Sequence, residues 1–279
     1  MNPKQYENLM LETFGSVLRI TLNRPERRNA LSEDLMAELL EVISAVEADT
    51  ETNVLILRGA GKGFCSGYDI TPPSSDGAEE RWPSPIEKVQ EVRRHNRIFD
   101  LLWRLPIPAI AQVHGHCLAA GTDLALSCDL IVCADDARIG YPAVRSMGTP
   151  ATHMWLYHLG PQWTKRLLLS GDSVTGAKAA EIGFALEAVA PETLDERALD
   201  LATRISQVPR DLLAVNKHVV NRGLELMGRT LLQETAATQD VVARQARGTE
   251  AFIETAMSKG FKQAVAERDA PFAAGDPIE

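Results

Sequence analysis

Two short apolar runs, each followed by a loop of small residues, constrain the fold of this chain most strongly. Val54–Leu57 leads into the glycine-rich loop 59–67, and Ala109–Val113 leads through a short turn into a predicted helix, Ala119–Ser127. A continuous apolar run of this length is typical of a strand buried on both faces. Two such units in succession, with Leu130–Cys133 as the next strand, predict an α/β fold with parallel strand pairing.

The remainder of the first half also follows local patterns. β-forming residues in Leu9–Phe14 and Val17–Leu22 predict an N-terminal hairpin. Ser32 is a good N-cap for an amphipathic helix of about four turns. Proline, serine and charged residues in 71–85 predict a surface excursion or a lid, and a helix from about Ile86 to Leu102 should bring the chain back.

After Pro150 the pattern is almost entirely helical, with one short strand-like run at Leu186–Val189. Residues 230–268 alternate apolar and charged faces and would embrace the core or a neighbouring subunit. We therefore expect a core domain in residues 1–205 and a C-terminal helical region in residues 206–279. The predicted helices of this half are 151–159, Pro161–Leu169, Gly176–Ile182, Leu194–Ile205 and Asp211–Leu226.

Charge and cysteine usage exclude several classes of protein. A net charge of −9 argues against a nucleic-acid-binding protein, because such proteins present clustered Lys and Arg. The four cysteines form no C-x-x-C pair, the N-terminal residues lack the pattern of a signal peptide, and no apolar run approaches the length of a membrane span. We expect a cytoplasmic protein that contacts neither membrane nor nucleic acid.

Both loops would bind a ligand through their backbone N–H groups. In the first, Lys62 is followed by Gly63, which does not fit a P-loop, and no helix follows as a dinucleotide-binding fingerprint requires. The second loop, 114–119, runs directly into a helix, whose N-terminus offers unpaired N–H donors. If both loops converge, they would offer two backbone donors to one developing oxyanion.

Six runs of the sequence, in matching order and spacing, resemble one known family. They are Asn23–Ser32, Gly63–Ile70, Val113–Asp129, Leu167–Asp172, Ala179–Gly183 and Arg268–Phe272. Together they span nearly the whole chain, from residue 23 to residue 272, and resemble the enoyl-CoA hydratase/isomerase, or crotonase, family. The resemblance implies a crotonase-type spiral of ββα units, with a C-terminal helical region that packs trimers, often paired into hexamers.

The resemblance also implies an acyl-CoA thioester as substrate, with no separate cofactor and no metal. The backbone N–H groups of Ser66 and Ala120 would form an oxyanion hole that stabilises an enolate-like intermediate. The guanidinium of Arg28 is suited to a phosphate. The residues expected to bind CoA or the acyl group are Arg28, Ala30, Gly67, Tyr68, Asp69, Ile70, Pro142 and Ala143.

The chain departs from the family at both of its expected catalytic glutamates. Asp123 occupies the first position and is one methylene shorter, which moves its oxygens by roughly 1 Å. Ala143 occupies the second, so one acid is missing, and an acid of this kind contributes roughly 10²- to 10⁴-fold to a rate. Candidate substitutes are Tyr141, Arg145, His153, His114 and His116, each of which also has an ordinary structural explanation.

Three functions remain open at this point. The first is an acyl-CoA lyase or isomerase that uses Asp123 as its catalytic carboxylate. The second is an acyl-CoA-binding protein with little turnover, suggested by Ala143. The third is a divergent hydrolase of the same family that uses His or Tyr. Asp129, by contrast, is expected to be a structural acid that caps a turn.

Overall fold

The computed structural model describes residues 5–70, 84–272 and 277–279. Its strands are β1 (Leu9–Phe14), β2 (Val17–Leu22), β3 (Val54–Gly59), β4 (Ala109–Val113), β5 (His116–Leu118), β6 (Leu130–Ala134), β7 (Arg138–Gly140), β8 (Ser173–Thr175) and β9 (Glu187–Val189). Its helices are α1 (Glu33–Ala48), α2 (Pro85–Arg104), α3 (Ala120–Leu126), α4 (Trp155–Ser170), α5 (Gly176–Glu181), α6 (Leu194–Ser206), α7 (Arg210–Leu226), α8 (Arg229–Ala243), α9 (Arg247–Lys259) and α10 (Phe261–Asp269).

The larger sheet contains six strands in the order β1-β2-β3-β4-β6-β9. β1 and β2 form the predicted antiparallel hairpin, and every other neighbouring pair in this sheet is parallel. Val54–Leu57 of β3 and all five residues of β4 are buried. The continuous apolar runs in the sequence are therefore explained as predicted.

The smaller sheet has the order β5-β7-β8 and follows the larger one strand by strand. The chain passes from β4 directly to β5, and from β6 directly to β7, so successive turns place one strand in each sheet before a helical segment. This is the expected crotonase-type spiral. One detail was wrong: residues 114–118 were predicted as a turn, but His116–Leu118 forms β5, because Cys117 pairs with Ile139 of β7.

Local side-chain signals fix the starts of the first two helices. The Oγ of Ser32 accepts a hydrogen bond from the Leu35 N–H at 3.3 Å, as its predicted N-cap role requires. Ser84 forms a capping box with Glu87 at the start of α2. The predicted excursion 71–85 lies outside the described residues, except for its last two residues, which begin this helix.

The segment before α4 departs from the predicted helix 151–159. The helix begins only at Trp155, because the backbone N–H groups of Ala151 and Thr152 donate to the Asp123 carboxylate instead of forming a helical turn. His153 has a φ of +49°, which marks this change of direction. Gly160, at φ 67° and ψ 174°, separates the two predicted helical stretches.

The C-terminal helices pack onto the core through specific contacts. Val92 of α2 forms a small buried cluster with Ala237 and Val241 of α8. Lys217 of α7 binds the Asp129 carboxylate at 2.7 Å. The division of the chain into residues 1–205 and 206–279 stays a prediction. Within the described part of the chain, no helix combines the length and the hydropathy that crossing a membrane requires.

Candidate functional site

The two small-residue loops meet, as predicted. Phe64 N–H donates to His114 O at 2.9 Å, and Cys65 N–H donates to His116 O at 3.1 Å. Leu118 N–H returns a bond to Cys65 O at 2.9 Å. A Cβ on Gly121 would lie only 2.6 Å from Cys65 O, so α3 approaches the first loop closely only because this position is glycine.

Backbone amides at this junction differ in whether they are already occupied. Ser66 N–H donates to the Arg28 carbonyl at 3.1 Å, and Gly67 N–H faces the Cys65 sulfur at 3.5 Å. Ala120 is the first residue of α3, where an N–H has no acceptor within the helix. The occupied amide argues against Ser66 as an oxyanion donor, whereas the same role for Ala120 stays a prediction.

Tyr68, which directly follows the first loop, has a backbone amide that is a free donor. Gly67 O accepts from Leu31 N, and Asp69 N donates to Leu31 O, so this stretch pairs with Leu31 like one residue of a parallel strand. In a trans peptide the C=O and the next N–H point in opposite directions. Tyr68 N–H therefore points away from Leu31, and it has no backbone acceptor among the described residues.

Gly67 connects this amide to α3. Its φ is +106°, and a Cβ there would lie 2.8 Å from Ala119 Cβ and 3.3 Å from Ala120 N. The Gly67-Tyr68 peptide is thus adjacent to the first amide of α3. The sequence predicted the donor at Ser66. It could not indicate Tyr68, because the direction of each amide depends on the bridge to the distant residue Leu31.

The turn that carries Arg28 is rigid, although the Arg28 side chain is exposed. Arg28 and Asn29 both have a φ of +53°. The fully buried Asn29 side chain donates to Ala60 O at 2.8 Å and Gly63 O at 2.9 Å, and it accepts from Arg24 N at 3.0 Å. Asn29 therefore ties the Arg28 turn to the glycine-rich loop, and its role was missed because an isolated Asn gives no pattern.

The other predicted ligand-binding residues surround this junction. Asp69 forms an ion pair with Arg24 at 3.0 Å, which gives its carboxylate a structural partner. The Tyr68 ring lies 5.5 Å from the His95 ring, centroid to centroid. Ala30 is buried, Ile70 is exposed, and Pro142 and Ala143 are partly buried in a short 3₁₀ helix. Their roles toward CoA and the acyl group stay predictions.

Asp123 is completely buried in α3, immediately beyond the free amide of Ala120. Its Oδ1 accepts from Thr152 N at 2.9 Å and from Thr152 Oγ1 at 2.6 Å, whereas Oδ2 accepts only a long bond of 3.4 Å from Ala151 N. Burial raises the pKa of Asp123 to about 6, and the hydrogen bonds from Thr152 oppose this rise. Oδ2 retains capacity for a proton or a water.

Two tyrosines interact electrostatically with this carboxylate. Burial, followed by the charge of Asp123, raises the pKa of both Tyr68 and Tyr141. Neither hydroxyl has a hydrogen-bond partner within the described parts of the chain. The site therefore combines an ionisable carboxylate with two neutral phenols, of which Tyr141 was a predicted substitute for the missing acid.

The remaining substitutes have structural partners. Arg145 donates to Ser170 O at 2.9 Å and forms ion pairs with Asp172 at 3.1 Å and Asp269 at 3.0 Å. Its guanidinium also stacks on the Phe272 ring at 3.9 Å. Arg145 therefore anchors the C-terminal segment and is not available to a substrate.

The three candidate histidines also have structural partners. His114 Nε2 lies 3.0 Å from Gly61 O, and His116 Nε2 lies 3.3 Å from Arg28 O. His153 Nε2 lies 2.8 Å from Thr149 Oγ1, and burial lowers its pKa. His114 and His116 hold the two loops and the Arg28 turn together, whereas His153 lies within the segment whose amides bind Asp123.

Asp129 is a structural acid, as expected, but its partners lie on β4 and α7 rather than in a turn that it caps. Its Oδ2 accepts from Ala109 N at 2.7 Å and from Lys217 Nζ at 2.7 Å. Within the described ranges, no group of three or more His, Cys, Asp or Glu side chains could hold a metal ion.

Comparison with known proteins identifies the family of this chain. A family model described as enoyl-CoA hydratase/isomerase matches residues 12–263. The chain belongs to the enoyl-CoA hydratase/isomerase family. The matched residues include both loops and α3, and the occupants of the two acid positions are left to be explained from this chain.

Curated relatives and solved structures agree with this assignment. The chain is 31% identical over 269 residues to a short-chain-enoyl-CoA hydratase of Clostridium acetobutylicum, covering 92% of this chain and 99% of that one. It is 30% identical over 260 residues to a crotonyl-CoA hydratase of Syntrophomonas wolfei, covering 89% and 96%. An enoyl-CoA hydratase structure from Mycobacterium smegmatis superposes with a TM-score of 0.88 at 36% identity, covering 95% and 94%.

Proposed function

We propose that the protein is an acyl-CoA-processing enzyme, a lyase or isomerase of the enoyl-CoA hydratase type. The observation that carries the proposal is the pair of free backbone donors at Tyr68 and Ala120, which flank Gly67 next to the buried Asp123 carboxylate. Two aligned N–H groups in a site that excludes water can stabilise the charge that develops on a thioester oxygen. The hydratase relatives support the same substrate class.

In the proposed reaction, the thioester carbonyl oxygen accepts hydrogen bonds from the Tyr68 and Ala120 amides. Asp123 removes a proton from a water as its oxygen bonds to Cβ, the Cα=Cβ electrons move to form the enolate, and Asp123 then returns the proton to Cα. For isomerisation, Asp123 would instead take a proton from Cα and return it to Cγ. In both cases one carboxylate performs both proton transfers, which accommodates Ala143 at the second acid position.

The CoA moiety would lie along the first loop. Arg28 is exposed beside the loop junction, and its planar guanidinium suits a phosphate of CoA. Ala30, Ile70, Pro142 and Ala143 would contact the remainder of the thioester. No separate cofactor is needed, because hydration and isomerisation are redox-neutral.

A self-associating, cytoplasmic protein is part of the same proposal. α7 has no buried residue, and it exposes Val215, Val219 and Val220. A second copy covering this face would remove an apolar surface from water, which supports the trimer or hexamer expected from the family resemblance. The four cysteines are buried and free, which is compatible with a reducing compartment.

An acyl-CoA-binding protein with little turnover is the alternative, favoured by the loss of the second acid at Ala143. A panel of enoyl-CoA thioesters, followed by loss of their conjugated absorbance, separates the two functions. The proposal expects turnover by the wild type and at least 100-fold less by D123N. Tight thioester binding by calorimetry, without any product by mass spectrometry, would support the alternative; release of free CoA would identify a hydrolase.

A further inference from the structure

Helix α8, in the C-terminal helical region, places a second buried carboxylate beside residues 148–153, the segment that binds Asp123. Asp240 is 6% exposed. Its Oδ1 accepts from the Thr149 backbone N–H at 3.1 Å, and its Oδ2 accepts from Arg244 Nε at 2.9 Å. A Cβ on Gly148, whose φ is +79°, would overlap Asp240 Oδ1. Glycine at 148 is thus required for this close approach.

The same short segment binds both buried carboxylates. Asp240 holds its first half through Thr149, and Asp123 accepts from Ala151 and Thr152 in its second half. Within the described residues, Thr152 supplies the two shortest bonds to Asp123. Any movement of the segment would therefore change the direction in which the Asp123 oxygens point.

Asp240 is not itself suited to proton transfer, because both of its oxygens accept hydrogen bonds of 3.1 Å or less, whereas Asp123 Oδ2 accepts only one of 3.4 Å. We propose that Asp240 is a positioning residue of the active site: by binding the Thr149 amide, it fixes the segment that orients the Asp123 carboxylate. This inference rests on the proposed function of Asp123. It gives the C-terminal helical region a role in the chemistry of its own chain, in addition to association.

Hydrogen exchange tests the contact without requiring turnover. In D240A, amide exchange in residues 148–153 should accelerate about tenfold or more, because a hydrogen bond to a charged group is lost. D240N should give a smaller increase, since a neutral acceptor binds the same N–H more weakly. E234A is the matched control: Glu234 joins α8 to Arg93 of α2 without touching the segment, and exchange in 148–153 should remain within about twofold.

Kinetics distinguish positioning from a loss of folding. D240A should lower kcat about tenfold or more with a much smaller change in KM, as expected for a misplaced catalytic group. E234A should leave kcat within about twofold of the wild type. D240N should recover most of the activity, because its amide oxygen can still accept from the Thr149 N–H.

The pH profile of D240N provides a separate readout. The titratable groups that interact electrostatically with Asp123 are Asp240, Tyr68, Tyr141 and Cys117, and Arg244 binds Asp240. Asp240 contributes to the raised pKa of Asp123, so removing its charge should move the acidic limb of kcat/KM to lower pH.

Unchanged exchange in 148–153 of folded D240A would overturn the proposal. If D240A does not fold, D240N decides, and unchanged exchange there would also overturn it. Equal losses of kcat in D240A and E234A would do the same, because they would show a general effect of α8. Accelerated exchange in D240A with an inactive wild type would refute the proposed function and leave the Asp240 contact standing.

Discussion

The buried carboxylate at Asp123 should reduce stability while supporting catalysis, and D123N tests both effects. Burial raises the pKa of Asp123 from 3.8 to about 6. A difference of about 2 pKa units corresponds to about 3 kcal/mol at neutral pH, at 1.36 kcal/mol per unit. The folded state binds this proton more tightly than the unfolded chain, so the contribution of Asp123 is greatest below pH 3.8 and is lost as pH rises through about 6.

Asparagine retains the important contacts. Its Oδ1 can still accept from Thr152 N and Oγ1, and the lost acceptor had only the 3.4 Å contact with Ala151. At pH 8, D123N should therefore be at least as stable as the wild type, with a gain of up to about 3 kcal/mol. At pH 4 the two proteins should differ little, because Asp123 is then protonated in the folded state.

Urea unfolding at pH 4 and pH 8, combined with turnover of an enoyl-CoA thioester, measures both effects. The expected result is a stable D123N with at least 100-fold lower activity at pH 8. In the wild type, activity should fall as pH decreases through about 6, because the base becomes protonated. A D123N protein that loses more than about 1 kcal/mol at pH 8, or that remains fully active, would refute the reasoning.

Three further substitutions test other parts of the structure. G67A should fold but lose activity about tenfold or more. Its new Cβ, at a φ of +106°, would lie 2.8 Å from Ala119 Cβ and displace the adjacent Tyr68 amide. Wild-type kinetics in G67A would contradict this. K217A should lower the free energy of unfolding by about 3 kcal/mol in urea titrations, since it leaves the Asp129 carboxylate unpaired, and a loss below about 1 kcal/mol would be contrary to expectation. V219D should reduce the mass measured by analytical ultracentrifugation without changing the circular dichroism spectrum, whereas an unchanged mass would argue against association through α7.

Much of the architecture could be predicted because its signals are local. The apolar runs of β3 and β4 indicated two-sided burial, and the small residues in the two loops indicated a close approach. The short strand β5 could not be predicted, since its three residues depend on pairing with β7. The start of α4 was also misplaced, because a carboxylate on another helix holds the residues before it.

The site was predicted less completely than the fold, because local sequence shows neither the direction of a backbone amide nor contacts between residues far apart in the chain. The sequence placed Asp123 and Ala120 on α3, but it could not show that the Ser66 amide is occupied by Arg28 O. The free amide of Tyr68 depends on a bridge to Leu31. Asp240 lies in the C-terminal helical region and reaches the site only through tertiary packing, so no local pattern marks it.

A structure of the complex with a saturated acyl-CoA tests the central claim most directly. The carbonyl oxygen of the thioester should lie about 2.7–3.1 Å from both Tyr68 N and Ala120 N. Cα and Cβ of the acyl group should lie next to Asp123 Oδ2. A carbonyl oxygen bound to Ser66 N, or placed outside the junction of the two loops, would contradict the account.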